Sequence, residues 1–371
     1  MKTHSAVLWG PGEAWQIEEV ELDDPGPGEV LVKTGAAGMC HSDEHVLTGA
    51  MPVPHFPFIG GHEGAGEVIQ VGPGVTSVAV GDHVSMSFIP SCGRCKWCTN
   101  GKSNLCDEGA KLFDLGMITD GRVAHHCNGK DVARFTQLGT FSEHMLLGEN
   151  SVIKVDNDLP WHAVALVSCG VATGFGSAVH RAGVKAGDTV AVIGVGGVGM
   201  NAIQGAKIQG ATRVVAIDPV EFKREKAMEF GATHTYSSTA EAMNALGDLT
   251  MGEMCDSVII TTGVMEGNLI NEGLNMTAKG GTCVVTSVAN MFDQDVEMNM
   301  FMFAMMNKEL KGCLFGSGNP RFDIPQLLSM YRDGQLKLDE LVTRTYSLDE
   351  VGQGYQDMRD GKNIRGVITF D

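Results

Sequence analysis

The sequence predicts a two-domain α/β protein: a mostly-β domain joined to a doubly wound parallel sheet. Three observations carry this. A chain of 371 residues exceeds what one ordinary core holds. Its first part alternates apolar and polar residues between Gly-Pro turns, as short antiparallel strands do. Its middle part alternates short apolar runs with helical segments, and a glycine-dense turn separates the first such run from its helix.

From about Ser5 to Gly35 the alternation is punctuated by Pro25-Gly26-Pro27-Gly28, and it resumes from Val68 to Val84 through Gly72-Pro73-Gly74 and Gly81-Asp82. These are strands with tight turns. Between them lie Gly38-Met39-Cys40-His41-Ser42-Asp43-Glu44-His45 and His62-Glu63, with Cys40 and His62 in irregular backbone, where a rigid scaffold can aim loop side chains inward. A soft thiolate at Cys40 and an imidazole at His62 suit zinc. Cys169, in Val167-Ser168-Cys169-Gly170, is a later thiol that can join them.

Cys92-Gly93-Arg94-Cys95-Lys96-Trp97-Cys98 is followed by Cys106. Each two-residue spacer returns the next sulfur to the same side, so four thiolates can close around one tetrahedral ion. A closed set offers no open position and stabilises a lobe. An iron–sulfur cluster is the competing reading of the same four thiols. Lys111 to Gly139 has no clear periodicity; His125, His126 and Cys127 are adjacent and point in different directions, which argues against one shared ion. The pattern becomes helical from Val164 to His180.

The nucleotide signal begins at Thr189–Ile193, an apolar run leading into Gly194-Val195-Gly196-Gly197-Val198-Gly199 and a helix over Met200 to Gln209. The glycines permit a tight turn, close approach of a pyrophosphate to the backbone and close helix packing, with phosphates at the helix N-terminus. The next strand, Arg213 to Ile217, ends in Asp218. A carboxylate there accepts hydrogen bonds from adenosine ribose hydroxyls and repels a 2′-phosphate, so NAD is expected over NADP. Further alternation follows, with Lys223 to Phe230 as helix and Ser257 to Thr261 and Thr282 to Thr286 as strands.

Bulk properties narrow the partners. A net charge of −18 and a pI near 5.0 disfavour nucleic acid and anionic membranes, which leaves small molecules. No secretion signal is evident, and Pro and Gly are expected to interrupt every apolar run short of the roughly 20 residues that span a bilayer. A cytoplasmic setting with reduced thiols is therefore expected for the 10 cysteines. Most of the 21 methionines read as core filler, and the run Met298 to Met306 reads first as core packing and second as an apolar interface.

In the order and spacing of these motifs, the whole chain resembles the zinc-dependent medium-chain alcohol dehydrogenases. Within them it is most similar to the actinobacterial NDMA-dependent nicotinoproteins, on the segments Ala36-Ala37-Gly38-Met39-Cys40, Gly60-Gly61-His62-Glu63-Gly64-Ala65-Gly66, Phe88-Ile89-Pro90-Ser91-Cys92-Gly93 and Asn363-Ile364-Arg365-Gly366-Val367-Ile368. The resemblance implies a GroES-like catalytic domain over residues 1–170, completed by 314–371, and a Rossmann NAD-binding domain over 171–313. It also implies that Cys40, His62 and Cys169 hold a catalytic zinc, since Cys₂His with one open position is the known ligand set of alcohol dehydrogenase itself. The second, structural zinc would take Cys92, Cys95, Cys98 and Cys106.

The same resemblance gives Glu63 a place behind the catalytic zinc and gives Asp43 the His62 ring to orient. Ser42 would pass the alcohol proton through the nicotinamide ribose to His45. His41 and Arg365 would contact the cofactor pyrophosphate, although a terminal Arg read without context is a solvated one. Asp218 and Lys223 would contact the adenosine ribose, beside the glycines of the fingerprint. Phe88 would line an apolar slot for alkyl or aromatic primary alcohols. Hydride would pass to a tightly bound NAD(H) that an aldehyde or other acceptor reoxidises in place. The alternatives are an NAD-exchanging alcohol dehydrogenase, a thiol-dependent formaldehyde dehydrogenase and, remotely, a non-catalytic NAD- and zinc-binding protein. An anionic thiol adduct would require basic groups at the pocket mouth. Arg122 and Arg134 are the candidates, each otherwise a solvated surface residue. The family also implies a homo-oligomer built through the nucleotide domain.

Overall fold

The computed structural model describes residues 1–370, which form two compact units. One comprises Met1–Cys169 and the segment from Asn319 onward; the other is Gly170–Gly318.

The first unit is built on two sheets. In the larger, Glu29–Gly38 is the central long strand, with Glu63–Val71, His144–Gly148 and Arg365–Thr369 all antiparallel to it. The chain's last strand thus returns to the middle of the unit, with Val367 opposite Gly38 on one side while Glu63 lies opposite Gly38 on the other. That register delivers Arg365 and Glu63, 302 residues apart, to the same spot. Valines and leucines on the inward faces, among them Val30, Val32, Val68, Val84 and Leu147, make the core of this sheet together with Met145, as period-2 alternation requires.

The second unit is one six-stranded sheet whose neighbours are all parallel. Its spatial order is His234–Tyr236, Arg213–Ile217, Thr189–Ile193, Cys255–Ile260, Thr277–Val285, Glu309–Gly312. Taken by chain position this is 3-2-1-4-5-6, the dinucleotide-binding order, with the first strand at the topological switch point. Every residue of Thr189–Ile193 is buried, which explains its unbroken apolar sequence.

Cys40 and His62 lie outside helix and strand as expected, but directly after Cys40 comes a helix that the pattern does not announce, His41–Leu47, with Asp43 and Glu44 in its first turn. Two expectations need correcting. Glycines do not interrupt the apolar run near Cys169; Trp161–Ala182 continues as a helix of 22 residues, long and apolar enough to cross a membrane, with 83% of its most apolar window buried inside the protein. It has π-helical turns at Val167–Val171, which holds Gly170, and at Ser177–Ala182, with Gly174 and Gly176 in the α-helical segment between them. Finally, the methionine run is not core. Met300, Phe301 and Met305 are 61, 71 and 64% exposed, while Met298 and Phe303 pack against the parallel-sheet core.

Candidate active site

Cys40, His62, Glu63 and Cys169 converge, each offering a ligand atom within 4.8 Å of the others'. Local structure explains the approach. Cys40 is the last extended residue before the helix His41–Leu47. His62 directly precedes the strand Glu63–Val71, after a turn in which Gly61 adopts φ +87°. A β-carbon at Gly61 would come within 2.4 Å of Thr140 Oγ1 and 2.7 Å of the Phe141 nitrogen, so only glycine fits. Cys169 sits in the π-helical turn. Beside it, Ser168 accepts a hydrogen bond from the Gly64 N–H at 3.2 Å and donates to the Ala165 carbonyl at 2.5 Å, which fixes that turn against the His62 strand.

The site is nearly closed to water: Glu63 is 0%, His62 2% and Cys169 7% exposed. Asp43, 1% exposed, receives the Gly61 N–H at 2.7 Å and the His62 Nδ1 at 3.1 Å. Engaged at Nδ1, the His62 ring presents Nε2 to a metal. Cys169 hydrogen-bonds to Cys40, which, with the nearby His62 and Arg365 charges, holds the Cys40 thiol well below the usual range. Burial pushes Glu63 up to about 7 even with Arg365 beside it. Two thiols, one imidazole and one carboxylate, all buried except the half-buried Cys40 and charge-compensated, are a donor set that fits zinc.

Ser42 Oγ stands 3.7 Å from Cys40 Sγ, on the rim of this cluster. His45 lies one turn further along the helix and is 5% exposed; His41, at the first helical position, is exposed. Phe88 meets the His62 ring edge-on, its centroid 5.7 Å away. A second aromatic, absent from the sequence-based candidates, is closer: Phe135 packs edge-on at 5.0 Å and is itself flanked by Phe58 and Phe113. In the sequence it lies in an aperiodic stretch, joined to His62 only by the fold.

Three arginines depart from their expected surroundings. Arg365 is not solvated but 4% exposed, ion-paired to Glu63. Gly38 makes room for the pair, since a β-carbon there would lie 2.1 Å from Glu63 Oε2. Arg134 is not at the surface or at a pocket mouth; it is 1% exposed and donates to Gln137 and Leu146. Arg122 is tied to Asp23, Asp120 and buried Glu29.

The four thiols Cys92, Cys95, Cys98 and Cys106 also lie within 4.8 Å of one another. Sγ separations of 4.0 Å (Cys92 to Cys98) and 3.9 Å (Cys95 to Cys106) approach the roughly 3.8 Å expected between sulfurs on 2.3 Å tetrahedral arms. The N–H groups of Cys98 and Asp107 bring Cys95 down to about 6, whereas burial pushes Cys106 up to about 12. A cation among them would let all four ionise.

In the parallel-sheet unit, the turn after Thr189–Ile193 has the features a pyrophosphate needs. Gly194 takes φ +85°, and a β-carbon on Gly199 would meet the Gly194 carbonyl at 2.1 Å. One on Gly196 meets nothing within 4 Å, leaving that face open. The helix Gly197–Ile208, which includes Val198, starts there with Gly196 as its N-cap. Asp218 follows its strand as expected and is 6% exposed, and Lys223 lies in the helix Glu221–Glu229. These residues fit a dinucleotide.

Comparison with known proteins agrees with both halves. The family described as alcohol dehydrogenase GroES-like domain matches residues 26–157, and the zinc-binding dehydrogenase family matches residues 197–333. The chain is 52% identical over 368 residues to the NDMA-dependent alcohol dehydrogenase of Amycolatopsis methanolica, covering 99% of each chain. It is 49% identical over 370 residues to alcohol dehydrogenase B of Mycobacterium tuberculosis, covering 100% of this chain and 99% of that one. The crystal structure of benzyl alcohol dehydrogenase from Acinetobacter calcoaceticus superposes with a TM-score of 0.92 at 30% identity, covering all of both chains. With two thiol clusters shaped for zinc and a parallel sheet shaped for a dinucleotide, the chain belongs to the zinc-dependent medium-chain alcohol dehydrogenases.

Proposed function

We propose that this protein oxidises primary alkyl or aromatic alcohols, and reduces the corresponding aldehydes, with an NAD(H) that stays bound and is reoxidised in place by a second carbonyl or other acceptor. The convergence of Cys40, His62 and Cys169 around one point, with Asp43 behind the imidazole, carries the reading. When bound, zinc acidifies and orients the alcohol and NAD accepts hydride.

The chain's own residues supply the rest. Cys40, His62 and Cys169 are the catalytic metal ligands, with Glu63 a fourth donor that Arg365 keeps charge-balanced; the four thiols from Cys92 to Cys106 hold the structural ion. Ser42 Oγ is placed to accept the proton that the substrate hydroxyl loses while giving up its own hydroxyl proton, and His45, one turn on, is the imidazole base toward which that proton would be relayed. Phe88 and Phe135 present apolar edges beside His62, which favours an aromatic or alkyl group over a charged one. The buried position of Arg134 and the engaged position of Arg122 speak against the anionic thiol adduct of a formaldehyde dehydrogenase. Asp218 favours NAD through its affinity for ribose hydroxyls. In-place recycling is supported by the name of the 52% identical relative, which denotes dependence on the acceptor NDMA.

The test adds benzyl alcohol and NDMA to purified protein with no nicotinamide nucleotide supplied. Turnover is expected, and Ser42→Ala should lower it at least roughly tenfold while both zinc ions stay bound. Unchanged single-turnover rates in that variant would sink the relay.

A further inference from the structure

The adenosine end of the nucleotide site carries a cation that its sequence motif does not announce. Asp218 is held rigidly: its Oδ2 accepts the Val195 N–H at 3.0 Å, from within the glycine turn, and its Oδ1 accepts the Val220 N–H at 2.9 Å. Arg224, on the helix Glu221–Glu229, folds back over the same strand end. Its Nη1 donates to the backbone carbonyls of Asp218 at 2.8 Å and Pro219 at 2.9 Å. Proline at 219 has no N–H of its own, and both carbonyls of this corner accept from the guanidinium. Lys223 precedes Arg224, and Glu241 on the helix Thr239–Leu249 is held ionised chiefly by hydrogen bonds from Ser237, with the Arg224 charge adding to them.

A guanidinium has five N–H donors in a planar fork, and both of these bonds come from one nitrogen. The rest of the fork is fixed beside the residue that reads the ribose 2′ position. A guanidinium fixed in this way is the group that grips a phosphate in two-point fashion. The Asp218 carboxylate opposes that by repelling a phosphate and engaging hydroxyls.

We propose that Arg224 is a preset anchor for a ribose 2′-phosphate, held in check by Asp218, so that one side chain separates this NAD site from an NADP site. The inference rests on the dinucleotide reading above. In the wild-type protein Arg224 braces the strand end; once the carboxylate is gone, its fork meets the 2′-phosphate.

The experiment compares wild type, Asp218→Ser, Asp218→Asn, and each of these combined with Arg224→Gln. Each protein is first unfolded, freed of resident nucleotide and refolded with zinc, then incubated with an equal mixture of NAD⁺ and NADP⁺, passed through gel filtration and denatured, and the released nucleotides are separated by chromatography. The retained NADP:NAD ratio should rise at least roughly tenfold in the Asp218 variants and fall back when Arg224 is also replaced, as loss of a charge-assisted fork requires. An equal rise with and without Arg224 would overturn the anchor, because removing the carboxylate would then suffice. Asp218→Asn keeps the side-chain shape and decides the matter if the serine variants do not fold. Wild type that holds neither nucleotide, resident or added, when it is denatured would overturn the dinucleotide reading, and the anchor with it.

Discussion

Asp43 shows how much of this site depends on residues that touch no substrate. Its carboxylate gives one oxygen to the Gly61 N–H and the other to His62 Nδ1, so it sets both the turn and the ring. Asparagine there can still accept one bond, but its amide cannot accept the His62 proton and support ring basicity as a carboxylate does. Asp43→Asn should therefore weaken retention of the catalytic zinc by roughly 10–100-fold, measured by metal content during titration with a chelator, with the four-thiol zinc unaffected. Equal loss of both ions would point to general unfolding instead. At this scale the sequence is informative where residue type decides the chemistry. Thiols, imidazoles and the glycine spacing announce themselves. It is silent where chemistry depends on long-range register: Phe135 reaches the His62 ring from 73 positions away, and Arg365 meets Glu63 only because the last strand pairs with Glu29–Gly38. A C-terminal Arg in polar sequence looks solvated until the strand order buries it.

Among the elements, the four-thiol lobe has the least apolar support of its own. Its short helix, Lys96–Thr99, has no buried residue, and the lobe is held chiefly by backbone turns around the sulfurs. The metal therefore takes the place of a core. Cys95→Ser should lower zinc content by one ion per chain and speed tryptic cleavage at Arg94, Lys96 and Lys102, with the parallel-sheet unit still protected. A variant as resistant as wild type would show that the lobe folds without its ion. Element legibility tracks periodicity. The runs Thr189–Ile193 and Arg213–Ile217 are legible to the residue because parallel strands buried on both faces are near-continuous apolar runs, here broken only by their first residues, Thr189 and the half-buried Arg213. The helix His41–Leu47 escapes a reading by pattern because it is short, its N-cap is a cysteine whose side chain makes no capping bond, and its buried positions Asp43, Glu44 and His45 are polar. In the long helix around Cys169 the glycines look like breakers. Gly174 and Gly176 instead sit where a β-carbon would meet the Val198 and Gly316 carbonyls at 2.0 and 2.4 Å, so they serve close packing. The methionine run misleads for the opposite reason: composition alone does not say which apolar residues find a partner within the chain.

At the scale of the whole molecule, two independently organised units carry complementary chemistry. The first concentrates the two candidate metal-donor sets, with Ser42 and aromatic rings beside one of them; the second holds the glycine turn and the strand-end carboxylate Asp218. Family membership follows from matches to both, and the function proposed for the pair is hydride exchange through a nucleotide that does not leave. Retention of that nucleotide distinguishes the proposal from an NAD-exchanging dehydrogenase, and it is open to direct measurement. Purified protein is dialysed extensively and denatured, and the released nicotinamide nucleotide is quantified by chromatography against protein concentration. The account predicts near-stoichiometric NAD(H). An empty site after dialysis, with activity restored only by adding NAD⁺, would contradict it and make the nucleotide a diffusible cosubstrate.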